Sequence, residues 1–267
     1  AGIPFARNRG VREARGAWVC FFDDDQTAEP DWVRQLYRRA TARGVDCVGG
    51  ARDLVIEGGA AAPESELGRR LLGEVLPDAN PGEYHPRWLP NTGNVLIRRS
   101  VFDEIGGFDE GALEGGDDTD FFHRLLKSGR RAVFAPSSMV HHHIPAARVS
   151  EDYLQWVAMR HGLVMARRDL TAGGLYTAFS LVARGGQAAL VLFPHWAWLR
   201  LTGRKARALG PLCQMRRAQG FAKFLLYRLA PKPLRGERAL GVFHHRNSAA
   251  AAARATNTTA ADTGVTP

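Results

Sequence analysis

What this chain lacks narrows the field first. Among its 267 residues there are only three cysteines, Cys20, Cys47 and Cys213, and they are widely separated, odd in number and without a CxxC pair. A disulfide scaffold and a structural zinc site are therefore not expected, and a reducing compartment fits. No segment recurs at a fixed period, which excludes a solenoid. No aromatic-interleaved basic sheet or recognition motif occurs, so nucleic acid is not an expected partner. The most apolar stretch, residues 174–201, is interrupted by Arg184, a Gly-Gly pair and Pro194, and so reads as a poor single membrane span. Acidic residues are scarce only in the rear. Residues 1–150 carry 19 Lys+Arg against 22 Asp+Glu, whereas residues 151–267 carry 17 against 5. That imbalance suggests attraction of the rear to an anionic surface. The first residue is Ala1 rather than Met and a helix-like segment follows at once, so a leading portion is expected to be missing.

What is there is the composition of an ordinary globular protein, 45% hydrophobic and 24% charged. The length supports one main domain with an appendage. The opening "FARNRGVREARG" reads as a helix ending near Gly16, and "AWVCFF" as a buried, parallel strand. Pro30 suits the first position of the helix "PDWVRQLYRRATARG", with Trp32, Leu36 and Tyr37 on its inner side and Gly44 as its stop. "VDCVGGARDLVI" is a strand pair or one bent strand. After a Gly/Ala/Pro loop at 58–63 come a short helix over 64–76, the strand "NVLIRR", and a Ser-capped helix "SVFDEIGG". The loop "FDEGALEGG" leads to the helix "DDTDFFHRLLKSG" and two short strands, "RAVFAP" and "SMVHHH". This alternation predicts a βαβ-type layered domain.

Beyond about residue 150 only helices are expected. Residues 151–246 form a basic helical region and 247–267 a low-complexity, disordered tail. Trp196 and Trp198, backed by Arg200, Arg204, Lys205 and Arg207, suit a helix lying on a membrane surface. The competing reading packs that helix against the rest of the molecule.

Three clusters could carry chemistry. "FFDDDQTAEPDW" sets aspartates at the end of a strand, where open α/β sheets bind ligands. Two carboxylates one residue apart can share a hard divalent cation, although a loop with a helix cap explains the same string. An EF-hand does not fit, because its Gly and Glu positions are not filled so. "EGGDDTDFFHRLL" crowds Asp117, Asp118 and Asp120 into a helix start; Asp118, Phe122 and Leu125 share a face, and dipole complementarity alone would also favour the acids. "HHH", residues 141–143, alternates across a strand, so at most two of the three can serve one site.

The order and spacing of "ARNRGVREARGAWVCFFDDD", "NTGNVLIRRSVFDEIGGFDE", "GGDDTDFFHRLLKSGRRAVFAPSSMVHHH" and "RVSEDYLQWVAMRHG" resemble glycosyltransferase family 2, the inverting enzymes of GT-A fold. Within it the likeness is to bacterial exopolysaccharide transferases of the succinoglycan type. The resemblance covers residues 4–162. It implies an α/β, Rossmann-like GT-A sandwich over residues 1–150, here without its first strands, followed by C-terminal helices. It also implies transfer of a sugar from a nucleotide-diphosphate sugar, expected to be a UDP-sugar, to a hydroxyl of a saccharide or lipid-linked acceptor in cell-surface polysaccharide synthesis. Peripheral membrane contact at the cytoplasmic face of the cell membrane goes with it.

Residue by residue, Asp23 and Asp25 match the DXD pair, with Asp25 on Mg²⁺ or Mn²⁺ and Asp23 also toward the nucleotide. Arg7 and Asn8 match the "RN" near the nucleotide. Asp118 matches the catalytic base, with Asp117 where the family has Glu. Asn91, Thr92, Gly93 and Asn94 match the loop lining the acceptor and donor-sugar pocket, His142 a metal- or diphosphate-facing His, and Arg148 a basic residue for the leaving diphosphate. The family's opening nucleotide-gripping strands have no counterpart. The alternative expectation is accordingly an incomplete fragment or a non-catalytic membrane-associated subunit.

Overall fold

The structure is a computed structural model and describes residues 2–78, 82–111 and 115–229. The expected tail and residues 230–246 of the helical region lie outside the described residues.

Among the described residues five strands form one mixed sheet in the order β1-β4-β3-β5-β2. They are β1 (Trp18–Phe22), β2 (Gln26–Ala28), β3 (Cys47–Ile56), β4 (Asn94–Arg98) and β5 (Ala132–Ile144). Only β3 and β5 run parallel; β4 is antiparallel to β1 and β3, and β2 is antiparallel to β5. Among the described residues β1 is thus an edge strand with an antiparallel neighbour, not the expected parallel one. Its apolar run is explained by cover on both faces rather than by a central position. Val19 and Phe21 pack with Val95, Ile97, Phe102 and Phe121 on one side, Trp18 and Cys20 with Leu36, Val48 and Leu96 on the other.

The first side is built by α1 (Ile3–Glu13), α4 (Ser100–Ile105) and α5 (Asp117–Lys127), the second by α2 (Trp32–Arg43). Helix α2 starts at Trp32, two residues after Pro30, and Gly44 closes it in the left-handed region at φ 58°. Its inward residues are Leu36 and Ala40; Tyr37 is 49% exposed, so it does not share the inner side. Helix α4 is preceded by Arg99 with no side-chain cap, so Ser100 belongs to the helix.

"VDCVGGARDLVI" is a single bent strand. The two short strands expected at 131–143 are likewise one, β5. Its register against β3 jumps from Gly50↔Ala135 to Ala51↔Met139, leaving Pro136 to Ser138 unpaired where proline's missing N–H costs the ladder nothing. Asn94 fills this break, donating to Ala51 O at 2.8 Å and Ser138 O at 3.0 Å. A Cβ on Gly50 would lie 2.6 Å from Ser138 O and overlap the Asn94 amide, which is why glycine stands there.

Helix α3 (Glu66–Leu71), capped by Ser65, leads toward the rear. There α6 (Glu151–Ala172), α7 (Gly174–Gln187), a π-helical turn (Ala188–Leu192), α8 (Phe193–Leu201) and α9 (Lys205–Leu229) follow in turn. Leu154, Ala158 and Cys213 pack with Leu71, Leu72 and Ile144, which joins these helices to the end of β5. Gly162 and Gly220 let α6 and α9 cross with backbones in contact; a Cβ on Gly162 would lie 2.9 Å from Phe221 N.

Neither the Gly-Gly pair nor Pro194 breaks residues 174–201, since the π turn absorbs the disturbance ahead of Pro194. By length and composition the stretch could cross a membrane, its most apolar 18 residues having a mean hydropathy of 1.2 and only 17% of them being buried.

Candidate active site

The three aspartates form the turn from β1 to β2, at one end of the sheet. Asp24 is exposed, while Asp23 and Asp25 are partly buried. Asp25 O accepts from His143 N at 2.9 Å, so the turn is stitched to β5. That pairing brings His142 Nε2 to 3.2 Å from Asp25 Oδ2, and Arg148 Nη1 to 3.2 Å from the same oxygen. His142 Nδ1 contacts Leu72 O at 3.1 Å, which fixes the ring's orientation. Burial raises the Asp25 carboxyl, but the charges and hydrogen bonds of His142 and Arg148 outweigh it, and the net direction is down. His142 is pushed down by burial and by Arg52, against the pull of Asp25.

The neighbouring histidines face elsewhere, as strand alternation requires. His141 lies 2.8 Å from Asp53 Oδ1 and 3.0 Å from Glu29 Oε1, and His143 3.0 Å from Thr27 Oγ1.

Behind the turn sits a residue the motifs did not single out. Arg52 of β3 is 8% exposed, and its Nη1 lies 3.8 Å from Asp23 Oδ2. Burial disfavours its charge, and Asp23, Asp118 and Asp25, in that order, favour it. The guanidinium is thus buried beside Asp23 and feels the charges of Asp118 and Asp25 as well. Two glycines clamp it. Arg52 Nε donates to Gly73 O at 2.5 Å, and a Cβ on Gly73 would lie 2.6 Å from Arg52 Nη2. From the other side a Cβ on Gly93 would overlap Arg52 Nη1 and lie 2.7 Å from Asp23 Oδ2. The Gln26 amide bridges Gly93 O and Arg52 Nη1. A lone arginine inside the apolar string "VGGARDLVI" was the available signal, because a buried charge needs partners.

Helix α5 supplies the remaining acids. Asp117 is 4% exposed and paired with Arg7 Nη1 at 2.6 Å, an ion pair that ties α1 to the start of α5. Asp118 is partly buried and its Oδ1 accepts from Thr119 N at 2.7 Å. Burial and then the Asp117 charge push its carboxyl up, opposed by Arg7 and the Thr119 hydrogen bonds.

Of the other expected site residues, Asn91 accepts from Gly93 N at 3.1 Å and shapes that loop. Thr92 and Asn94 are buried, the latter in the β3–β5 break. Asn8 exchanges hydrogen bonds with the Phe108 backbone at 2.9 and 2.8 Å and reaches Glu110 at 3.0 Å. The structure thus brings Asp25, His142 and Arg148 together, sets Asp23 and Gly93 against Arg52, and gives Arg7, Asn8, Asp117 and Asn94 hydrogen-bond partners of their own.

Among the described residues no three His, Cys, Asp or Glu side chains form a metal-holding group. Asp25 with His142 nevertheless fits a divalent cation, because such ions at phosphate-transfer sites take one or two protein ligands and complete their shell from phosphate oxygens and water.

With this geometry in hand, the family model described as Glycosyl transferase family 2 matches residues 2–106. Over those residues the chain is similar to glycosyl transferase family 2. The expected GT-A architecture, an α/β sheet followed by C-terminal helices, is the one observed. The succinoglycan biosynthesis protein ExoM of Rhizobium meliloti (strain 1021) is 30% identical over 212 residues, covering 74% of this chain and 65% of that protein. A glucosyl-dolichyl phosphate glucuronosyltransferase of Haloferax volcanii is 27% identical, covering 63% of this chain and 56% of that protein. The chain thus spans less than two thirds of the length of either. A solved structure of GalNAc-T7 with UDP, GalNAc and Mn²⁺ superposes with TM-score 0.40 and 18% identity, over 66% of this chain and 38% of that one.

Proposed function

We propose that this chain is a family 2 glycosyltransferase and forms the catalytic part of an inverting transferase. It moves a sugar from a nucleoside-diphosphate sugar, a UDP-sugar in the first instance, to a hydroxyl of a saccharide or lipid-linked acceptor in cell-surface polysaccharide synthesis. The observation that carries the reading is Asp25 held between His142 and Arg148, each at 3.2 Å, with Asp23 beside it 3.8 Å from the buried Arg52.

The labour divides by environment. Asp118, its carboxyl raised above the ordinary aspartate value by burial and by Asp117, acts as the general base, and the start of α5 helps keep it ionised. It takes the proton of the acceptor hydroxyl as that oxygen bonds to the anomeric carbon. The carbon–oxygen bond to the nucleoside diphosphate breaks on the opposite face, so the configuration inverts and the electron pair leaves with the diphosphate. Arg148 is placed to meet that developing charge. Asp25 and His142 would hold Mg²⁺ or Mn²⁺, with Asp23 alongside; the ion, when bound, supplies Lewis-acid stabilisation of the diphosphate. No nucleophilic Ser or Cys is required. Burial pushes Cys20 up to about 12 and raises Cys47 and Cys213 as well, consistent with inert thiols.

The rear helices support work at the cytoplasmic face of the cell membrane. Phe179, Val182, Leu190 and Leu201 are 73%, 73%, 80% and 88% exposed, and Arg200, Arg204, Lys205 and Arg207 cluster in sequence at the end of this stretch.

The test is sugar transfer or hydrolysis from UDP-sugars with Mn²⁺ or Mg²⁺. Asp118→Asn should abolish transfer while sparing metal-dependent UDP binding. Full transfer by that variant would refute the base assignment. Absence of UDP binding by the wild-type chain would favour a non-catalytic, membrane-associated subunit instead.

A further inference from the structure

A cavity of about 810 Å³ lies beside the acidic site, on the next face of α5. Thr119, His123 and Lys127 of α5 line it, and Asp118 stands one residue before them on the same helix. Its other walls include Arg87, the end of α6 at Arg167 and Arg168, and Tyr176 of α7. A concavity of this size accommodates a substantial ligand.

Its charge is basic, and the ion pairs show which charges are spent. Asp120 is held by Arg124 at 2.8 Å, Arg168 by Asp169 at 2.9 Å, and Arg167 by Asp109 at 2.5 Å. Arg87 and Lys127 have no carboxylate partner among the described residues. His123 Nε2 is buried without a hydrogen-bond partner. Two unpaired cations and an orphaned imidazole nitrogen in one concavity match an oxyanion, which offers several acceptor oxygens to such groups.

The cavity opens onto an apolar row. Tyr176 stands in its wall, and Leu175, Phe179 and Val182 continue along α7 with 92%, 73% and 73% of their surface exposed. A basic pocket continuous with an uncovered apolar strip suits a phosphate joined to a hydrocarbon chain better than a free saccharide, which would need neither feature.

We propose that the cavity binds the phosphate of a lipid-linked acceptor, and that its hydrocarbon chain lies along Tyr176, Phe179 and Val182. The inference rests on the transfer reading and specifies its acceptor: a sugar attached to that phosphate would extend toward Asp118 past the first turn of α5.

The probe is farnesyl diphosphate, titrated calorimetrically into the full chain in EDTA, so that metal-dependent donor binding is silent. Farnesol and inorganic pyrophosphate serve as separate arms. Farnesyl diphosphate should bind at least about tenfold more tightly than either. The double variant Arg87→Gln, Lys127→Gln should lose about tenfold or more, and Phe179→Ser should weaken farnesyl diphosphate without changing pyrophosphate. All three positions are exposed, and circular dichroism checks that the variants remain folded. Equal binding of farnesol would remove the phosphate site, and equal binding of pyrophosphate would assign it to a free anion. Unchanged binding by the double variant, or displacement by UDP with Mn²⁺, would place the ligand elsewhere. Metal-dependent UDP binding, measured in parallel, separates the two readings. Its loss with farnesyl diphosphate binding intact indicts the donor site, and the converse indicts the cavity alone.

Discussion

Replacing Gly93 by alanine tests whether Arg52 organises the site. The added Cβ would lie 2.7 Å from Asp23 Oδ2 and 2.8 Å from the Gln26 side-chain amide, where ordinary contact begins at 3.4 Å, and it overlaps Arg52 Nη1 outright. Asp23 can move, because its side chain is 40% exposed; Arg52 cannot retreat, because Gly73 O and the Gly73 backbone hold its far side. Relief therefore requires shifts of about 1 Å in the groups facing the donor, and misplacement of that size costs about 100-fold in turnover. Overpacking should also cost about 2 kcal/mol, or about 4–8 °C in Tm for a chain this long. Steady-state transfer gives kcat/KM, a thermal melt gives Tm, and Mn²⁺-dependent UDP titration reports the donor pocket alone. A variant with wild-type kcat/KM and wild-type UDP affinity would show that the clamp on Arg52 has no part in function.

Asp118 also makes a pH-dependent prediction. Because its folded pKa is raised, kcat/KM should rise with pH through that raised value as a single deprotonation. Its ionised form should destabilise the fold above the unfolded value of about 3.9. Asp118→Asn should therefore be more stable than wild type at neutral pH, with the gap closing as pH falls toward 4; a neutral-pH Tm below wild type would contradict this. At the rear, Gly162→Ala should destabilise by about 2 kcal/mol despite alanine's helix preference, since the clash is with the α9 backbone. An unchanged melt would mean that the two helices are not so close. Finally, sedimentation with anionic vesicles should retain the wild-type chain, and Phe179→Ser with Leu190→Ser should release it; equal retention would remove α7 from the membrane reading.

The sequence alone determined the parts governed by local rules. The acids at the end of β1 and the start of α5, the Gly44 stop and the apolar β4 followed from propensity, capping and periodicity. Alternation along β5 also allowed only some of the three histidines to share a site. Tertiary structure decided the rest, because it depends on which strands become neighbours. Burial on both faces reads the same in an edge strand as in a central one, so β1 could not reveal its antiparallel partner. The register break that makes one strand of "RAVFAP" and "SMVHHH" is held by Asn94, more than 40 positions from each carbonyl it binds. Arg52 meets Asp23 and Gly93 only once β3 lies between β4 and β5. Its role comes from contacts across the sheet, and no local pattern in a chain encodes those.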